Sequence, residues 1–289
     1  MGDQPMRNCL PLLPGLLIVL LLAPSCVVSP ATGERQLVLI SSDQEIAMGR
    51  EASPELEQQL GGLVQDEYVQ SYVASVGRRV AEQSERRMPY EFAVVASPVP
   101  NALALPGGKI YITAGLLRAM ESECELAAVL GHEVGHVADR HNVQGLQRQM
   151  GVQLVAELAA AAVGADGGTA ARVGTQIVGG MFNLKYSRED EYQADELGVR
   201  YMARAGYNPY GMVALLETLQ EASGGGEAPG WTEILQTHPL TSNRIEEARR
   251  NVRRQHPNAS PAGCTVADDA FSRMQQRLGP QPAQEGRAP

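Results

Sequence analysis

Aromatic residues are scarce in this chain. Phe, Tyr and Trp make up 4% of its 289 residues, and Trp231 is the sole tryptophan. A core without large rings falls to Ala, Val and Leu, a composition consistent with closely packed helices. The same scarcity leaves no ring cluster on which a sugar could stack, which argues against a hydrolase of cell-wall amides. Positive charge is also short. Lys and Arg number 24 against 33 Asp and Glu, a net charge of −9. That balance argues against nucleic-acid binding and against adhesion to an anionic membrane surface. After the first residues no apolar run is long enough to cross a bilayer. No internal repeat is visible. What remains is a globular chain, 44% hydrophobic, of one or two domains.

The one strongly apolar run, residues 10–23, has the length of a signal peptide and follows Arg7. Residues 1–25 are therefore read as a signal peptide and 26–42 as a tether. A zinc-binding domain is expected over 43–278, and a Pro- and Gln-rich disordered tail over 279–289. Cys9 would leave with the signal. Cys124 and Cys264 then stand either as a disulfide or as two buried thiols.

Helical apolar spacing is read over 43–59, 64–83, 142–163, 169–183, 191–205, 209–222 and 241–255. Strands are expected at 89–96, 101–104 and 110–113, the last two joined by a Pro-Gly-Gly turn. The fold class is thus α+β, mainly α with a small β-sheet. The Ala- and Gly-rich stretch 152–181 has arms too short to span a membrane and carries Asp166 at its turn. It reads as packed helices or a flap.

The most informative segment is His132-Glu133-Val134-Gly135-His136, inside an apolar helical run from Ser122 to Asp139. Residues four apart share a helix face, so both imidazoles can reach one metal ion. Glu133 lies beside them, placed to take a proton from an attacking water. A catalytic zinc wants a third protein ligand. One zincin type supplies a third His ten residues after the first, but Asn142 stands there. His141 is one residue out of register and reads as the start of the next helix or an exposed residue. The other type takes a Glu from a second helix. Ser187 is a good N-cap followed by acidic residues, and Glu191 and Asp195 share one face beyond it. Glu191 is read as the third ligand. Asp195 would accept a hydrogen bond from the far nitrogen of a zinc histidine, His132 above all.

The HEVGH segment, with Ser-Arg-x-x-Glu-x-x-Ala-Asp about fifty residues on, resembles the HtpX and CAAX-prenyl-protease family of zinc metallopeptidases. The closer likeness is to its soluble periplasmic branch, typified by BepA and LoiP. Asn101-Ala102 with Pro106-Gly107-Gly108, and His238-Pro239 followed by Arg244, agree with that family. The resemblance implies a zincin-like fold, one Zn2+ and hydrolysis of peptide bonds with Glu133 as general base. It implies that His238 or Arg244 stabilises the oxyanion, or that His238 occupies the metal's fourth position and blocks it. Asn101 and its strand are expected to bind an extended substrate. Cys26 resembles a lipidated N-terminus that would anchor the protein to the outer membrane from the periplasm; ordinary signal cleavage before Cys26 fits too. The implied substrates are misfolded or stalled envelope proteins, with outer-membrane assembly machinery as a partner. A non-cleaving chaperone or assembly factor is the competing class. Membrane-embedded prenyl-peptide cleavage and recognition through helical repeats are not expected.

Overall fold

Serines start the two helices that matter most here. Ser122 caps α4 (Glu123–Ala138), its side chain accepting from the Glu125 backbone N–H. Ser187 caps α8 (Arg188–Arg204) in a capping box closed by Asp190. The computed structural model describes residues 25–38, 40–224, 231–240, 242–264 and 269–279. In chain order these form β1 (Ser25–Val28), β2 (Arg35–Val38), α1 (Ser42–Gln59), α2 (Glu67–Ala81), β3 (Glu91–Val95), β4 (Ala102–Ala104), β5 (Lys109–Thr113) and α3 (Ala114–Ala119). After α4 come α5 (His141–Met150), α6 (Val152–Ala162), α7 (Gly167–Phe182), then α8, α9 (Gly211–Ala222), α10 (Thr232–Thr237), α11 (Ser242–Gln255) and α12 (Asp269–Leu278). The fold is mainly helical with a small sheet, the expected class.

The sheet has the order β3-β5-β4, with β3 parallel and β4 antiparallel to β5. Its strand β4 is an edge with no further strand partner among the described residues. Helix α4 is apolar nearly all round, and every residue from Glu125 to Ala138 is buried. Such a helix belongs at the centre. One side of the core joins α2, α4, α8 and α9 with the sheet, through residues such as Val73, Leu126, Leu197 and Leu216. A second apolar cluster joins α1, α6 and α7 through Leu56, Val155 and Ile177. No helix among the described residues is long and apolar enough to cross a membrane. Cys124 and Cys264 are both free thiols.

The crossing of α4 on α8 positions the site. A Cβ built on Gly135 would lie 3.0 Å from the Ala194 carbonyl oxygen, and one on Gly198 3.0 Å from the His132 nitrogen. Only glycine lets the two backbones approach this closely. His132 and His136 on one helix are thereby set against Glu191 and Asp195 on the other.

The structure departs from the sequence reading in three places. The helix expected over 142–163 breaks at Gly151, whose φ of 88° only glycine adopts freely. The stretch read as a tether carries the β1–β2 hairpin, which is anchored at Asp139 by the Gln36 side chain donating to its carbonyl oxygen at 3.0 Å. Helices α3 and α10, six residues each, are too short for a periodic signal, and α12, whose Phe271, Met274 and Leu278 form one buried face, is not among the helices read from the sequence. The stretch 152–181 forms two helices packed on α1, in keeping with the packed helices read from its sequence. The expected signal peptide lies outside the described residues apart from Ser25, as does the expected tail apart from Gly279.

Candidate metal centre

Four buried side chains converge: His132 and His136 from α4, Glu191 from α8, and His238 just after α10. One ligand atom from each lies within 4.8 Å of every other. His132 Nε2 and His136 Nε2 are 3.0 Å apart. Glu191 Oε1 lies 3.3 Å from His136 Nε2 and 3.0 Å from His238 Nδ1. His238 Nδ1 is 3.3 Å from His132 Nε2. Asp195 Oδ1 stands 2.9 Å from His132 Nδ1, which commits that nitrogen as donor and leaves His132 Nε2 with a bare lone pair. Tyr186 stacks on His136, ring centroids 3.9 Å apart, and shields it from solvent.

These residues fit a divalent metal. With His136 Nε2 also unprotonated, the two imidazole lone pairs facing each other at 3.0 Å would satisfy nothing between themselves, whereas a cation between them satisfies both. Imidazole nitrogens with one carboxylate form a donor set suited to zinc. Glu133 is outside the cluster yet buried against it. Its Oε2 has no hydrogen-bond partner among the described residues, and Oε1 lies 3.8 Å from His238 Nε2.

Charge at the site is strongly biased. Burial pushes Glu133 above the usual carboxylate range, an effect that His238 and His132 only partly offset. Burial also acts upward on Glu191, but Arg244 and His238 outweigh it and hold Glu191 well below that range. His136 is held far below its ordinary value, by burial first and by the nearby charge of His132 second. Burial lowers His238, yet Glu191 and then Glu133 bring it above the ordinary value. Of the two neighbouring carboxylates, Glu191 is thus held toward its ionised form and Glu133 toward its protonated form.

Arg244, on α11, is buried with its fork turned to the carboxylates. Nε and Nη2 each donate to Asp195 at 2.8 Å, and Nη1 pairs with Glu191 Oε2. Nη1 also donates to the Pro239 carbonyl at 3.3 Å. Asn101 lies just before β4, buried, and its Nδ2 donates to Glu233 of α10 at 2.9 Å; its Oδ1 has no partner among the described residues. Two mainly apolar hollows flank the cluster. Leu56, Leu103, Met181, Phe182, Leu184 and Tyr186 line one. Val129, Leu215, Leu216, Leu219, Ile234 and Leu240 line the other, which reaches Glu133 and Arg244. His238 borders both.

Residues 65–252 match the model of peptidase family M48. The chain belongs to that family. Relatives of this M48 peptidase include the beta-barrel assembly-enhancing protease of Yersinia pestis, 29% identical over 83% of this chain and 50% of that protein. The protein of the same name from Escherichia coli strain K12 is 28% identical over 81% of this chain and 49% of its own length. The mitochondrial metalloendopeptidase OMA1 of Schizosaccharomyces pombe is 30% identical over 75% of this chain and 64% of its own. The M48 peptidase therefore spans about half the length of the two beta-barrel assembly-enhancing proteases. Membership in a metallopeptidase family agrees with the resemblance read from the motifs, and with a buried His and Glu cluster able to hold a metal.

Sequence reasoning gave no role to Tyr186 or Glu233. Glu233 meets Asn101 across 132 positions, a pairing with no local signal. His141, expected to start the next helix or to be exposed, does start α5, but it is buried and meets His136, its Nδ1 3.0 Å from that of the other ring.

Proposed function

We propose that this M48 peptidase is an endopeptidase with a single Zn2+ on His132, His136 and Glu191, and that it cleaves misfolded or stalled envelope polypeptides. The observation that carries the reading is the convergence of those three ligand atoms beside a buried Glu133 whose Oε2 has no partner. Bound there, zinc would polarise the scissile carbonyl and acidify the attacking water. Glu133 takes the water's proton and returns it to the leaving amine, a task matched to its raised affinity for a proton. Asp195 orients His132, and Arg244 holds Asp195 and Glu191 in place. Because its fork is turned to those carboxylates, we assign Arg244 to that support, which leaves His238 either to stabilise the oxyanion or to block the metal's fourth position. The edge of β4 aligns an extended substrate through backbone hydrogen bonds, and the two hollows receive apolar side chains. Such a site suits unfolded chains of varied sequence.

The structure supports a self-blocked resting state. His238 Nδ1 sits among the ligand atoms, and Glu233 ties α10 to Asn101 beside the substrate edge. Displacing α10 would free Asn101 to meet the substrate. The test is casein hydrolysis by the zinc-loaded chain: His238→Ala is expected to cleave faster than wild type. A fall of about 10²-fold or more would instead assign His238 to oxyanion stabilisation.

The blocked cluster also favours a second reading, a non-cleaving assembly factor with the same buried site. The word assembly in the relatives' name points to outer-membrane assembly machinery as a partner under either reading. The proposed location is the periplasm, tethered to the outer membrane by lipidated Cys26. Cys26→Ser is expected to move the protein from the membrane fraction to the soluble one, and an unchanged distribution in fractionated cells would remove the anchor.

A further inference from the structure

Arg140 is the one non-glycine residue with a left-handed backbone among the described residues, φ 59° and ψ 23°. An L-residue adopts that conformation only where its surroundings hold it. Here Arg140 Nη1 donates to the Ile40 carbonyl and pairs with buried Glu45, both at 3.1 Å. The turn it makes ends α4, starts α5, and folds His141 back against His136.

His141 is buried, and its two ring nitrogens face different partners. Nδ1 lies 3.0 Å from His136 Nδ1. Nε2 lies 3.1 Å from Asp139 Oδ2 and 3.1 Å from Gln193 Oε1. The Gln193 amide is oriented from outside, its Nε2 donating to Glu34 at 2.8 Å. Asp139 is oriented in turn by the β1–β2 hairpin, for the Ser29 hydroxyl donates to Oδ1 and the Thr32 hydroxyl does so at 2.9 Å. Two oxygens facing His141 Nε2 place the ring's proton there. Its Nδ1 then carries a lone pair and accepts the Nδ1–H of His136. That leaves His136 Nε2 bare, directed at the cluster. The opposite tautomer would set a lone pair against two acceptors and would put the His136 proton on the very atom that must ligate.

We propose that His141, backed by Asp139, Gln193 and the hairpin hydroxyls, is a positioning residue that fixes the ligating tautomer of His136. This rests on the metal reading above. His132 receives the same service directly from a carboxylate, whereas His136 receives it through a second imidazole.

The test uses the full chain and zinc alone, with affinity measured by competition against a chelating dye. His141→Phe keeps a ring but no acceptor, and is expected to bind zinc about 10–100-fold more weakly. His141→Asn keeps an acceptor near the Nδ1 position and is expected to stay close to wild type, a rescue that a merely space-filling role would not produce. Nitrogen-15 spectra of the zinc-loaded wild type are expected to show the proton of His141 on Nε2 and that of His136 on Nδ1. They decide the matter alone if the Phe variant does not fold. Wild-type affinity in a folded His141→Phe protein, or a proton on His141 Nδ1, would overturn the proposal while zinc still bound. Failure of wild type itself to bind zinc would remove the metal reading with it.

Discussion

Glu133→Gln is expected to stop peptide hydrolysis while leaving the metal content of the protein unchanged. The substitution is nearly isosteric, so the packing around a fully buried helix position is kept. It removes the one function the geometry assigns to Glu133, accepting a proton beside the metal cluster. General-base catalysis contributes about 10²–10⁴ in rate, and a loss of that size is expected in casein hydrolysis. The ligand atoms belong to His132, His136, Glu191 and His238, so metal per chain by elemental analysis should match wild type. Thermal stability should hold or rise, because burial already disfavours the ionised carboxylate there. Residual cleavage near the wild-type rate would place the base elsewhere. A cell phenotype fully rescued by Glu133→Gln would favour the assembly-factor reading, since such a factor has no use for a base.

The parts of this site that were legible in the sequence are those carried by local periodicity. A four-residue spacing puts His132 and His136 on one face, and the same spacing puts Glu191 and Asp195 on another. Ser122 and Ser187 announce where each helix begins, because a side-chain acceptor there satisfies backbone donors that have no other partner. The parts that were not legible depend on chain geometry without a residue signature. His141 was discounted as a ligand for being one position out of the motif's register, and it lies outside the ligand cluster; its contact with His136 depends on where the zinc helix ends. There Arg140 turns left-handed, and arginine carries none of the cues that glycine or asparagine would. Gly151 lies inside an apolar pattern that fits one long helix, and only its positive φ divides α5 from α6. The hairpin of β1 and β2 has four residues per strand, too few for alternation to stand out. Its docking on Asp139 links residues more than a hundred positions apart.

Arg244→Met should be the most destabilising single substitution at the centre in the metal-free protein. Methionine keeps much of the apolar stem and removes the charge. Two carboxylates that Arg244 now faces, Glu191 and Asp195, would be left buried with their compensation reduced. Breaking a buried ion pair by removing one partner costs about 3–5 kcal/mol, because the remaining charge has lost both solvent and counter-ion. Arg244 holds Asp195 below the usual carboxylate range against the upward push of burial, and does the same for Glu191 together with the histidines. Denaturant unfolding of wild type and variant, each with and without zinc, separates the contributions. A cation on Glu191 replaces part of what Arg244 supplied, so zinc should stabilise the variant by more than it stabilises wild type. Asp195 has no such replacement, and the loaded variant should remain weaker than the loaded wild type. Equal stabilities without metal would mean that the carboxylates take up protons or water in place of the guanidinium, and that Arg244 does not hold the centre together.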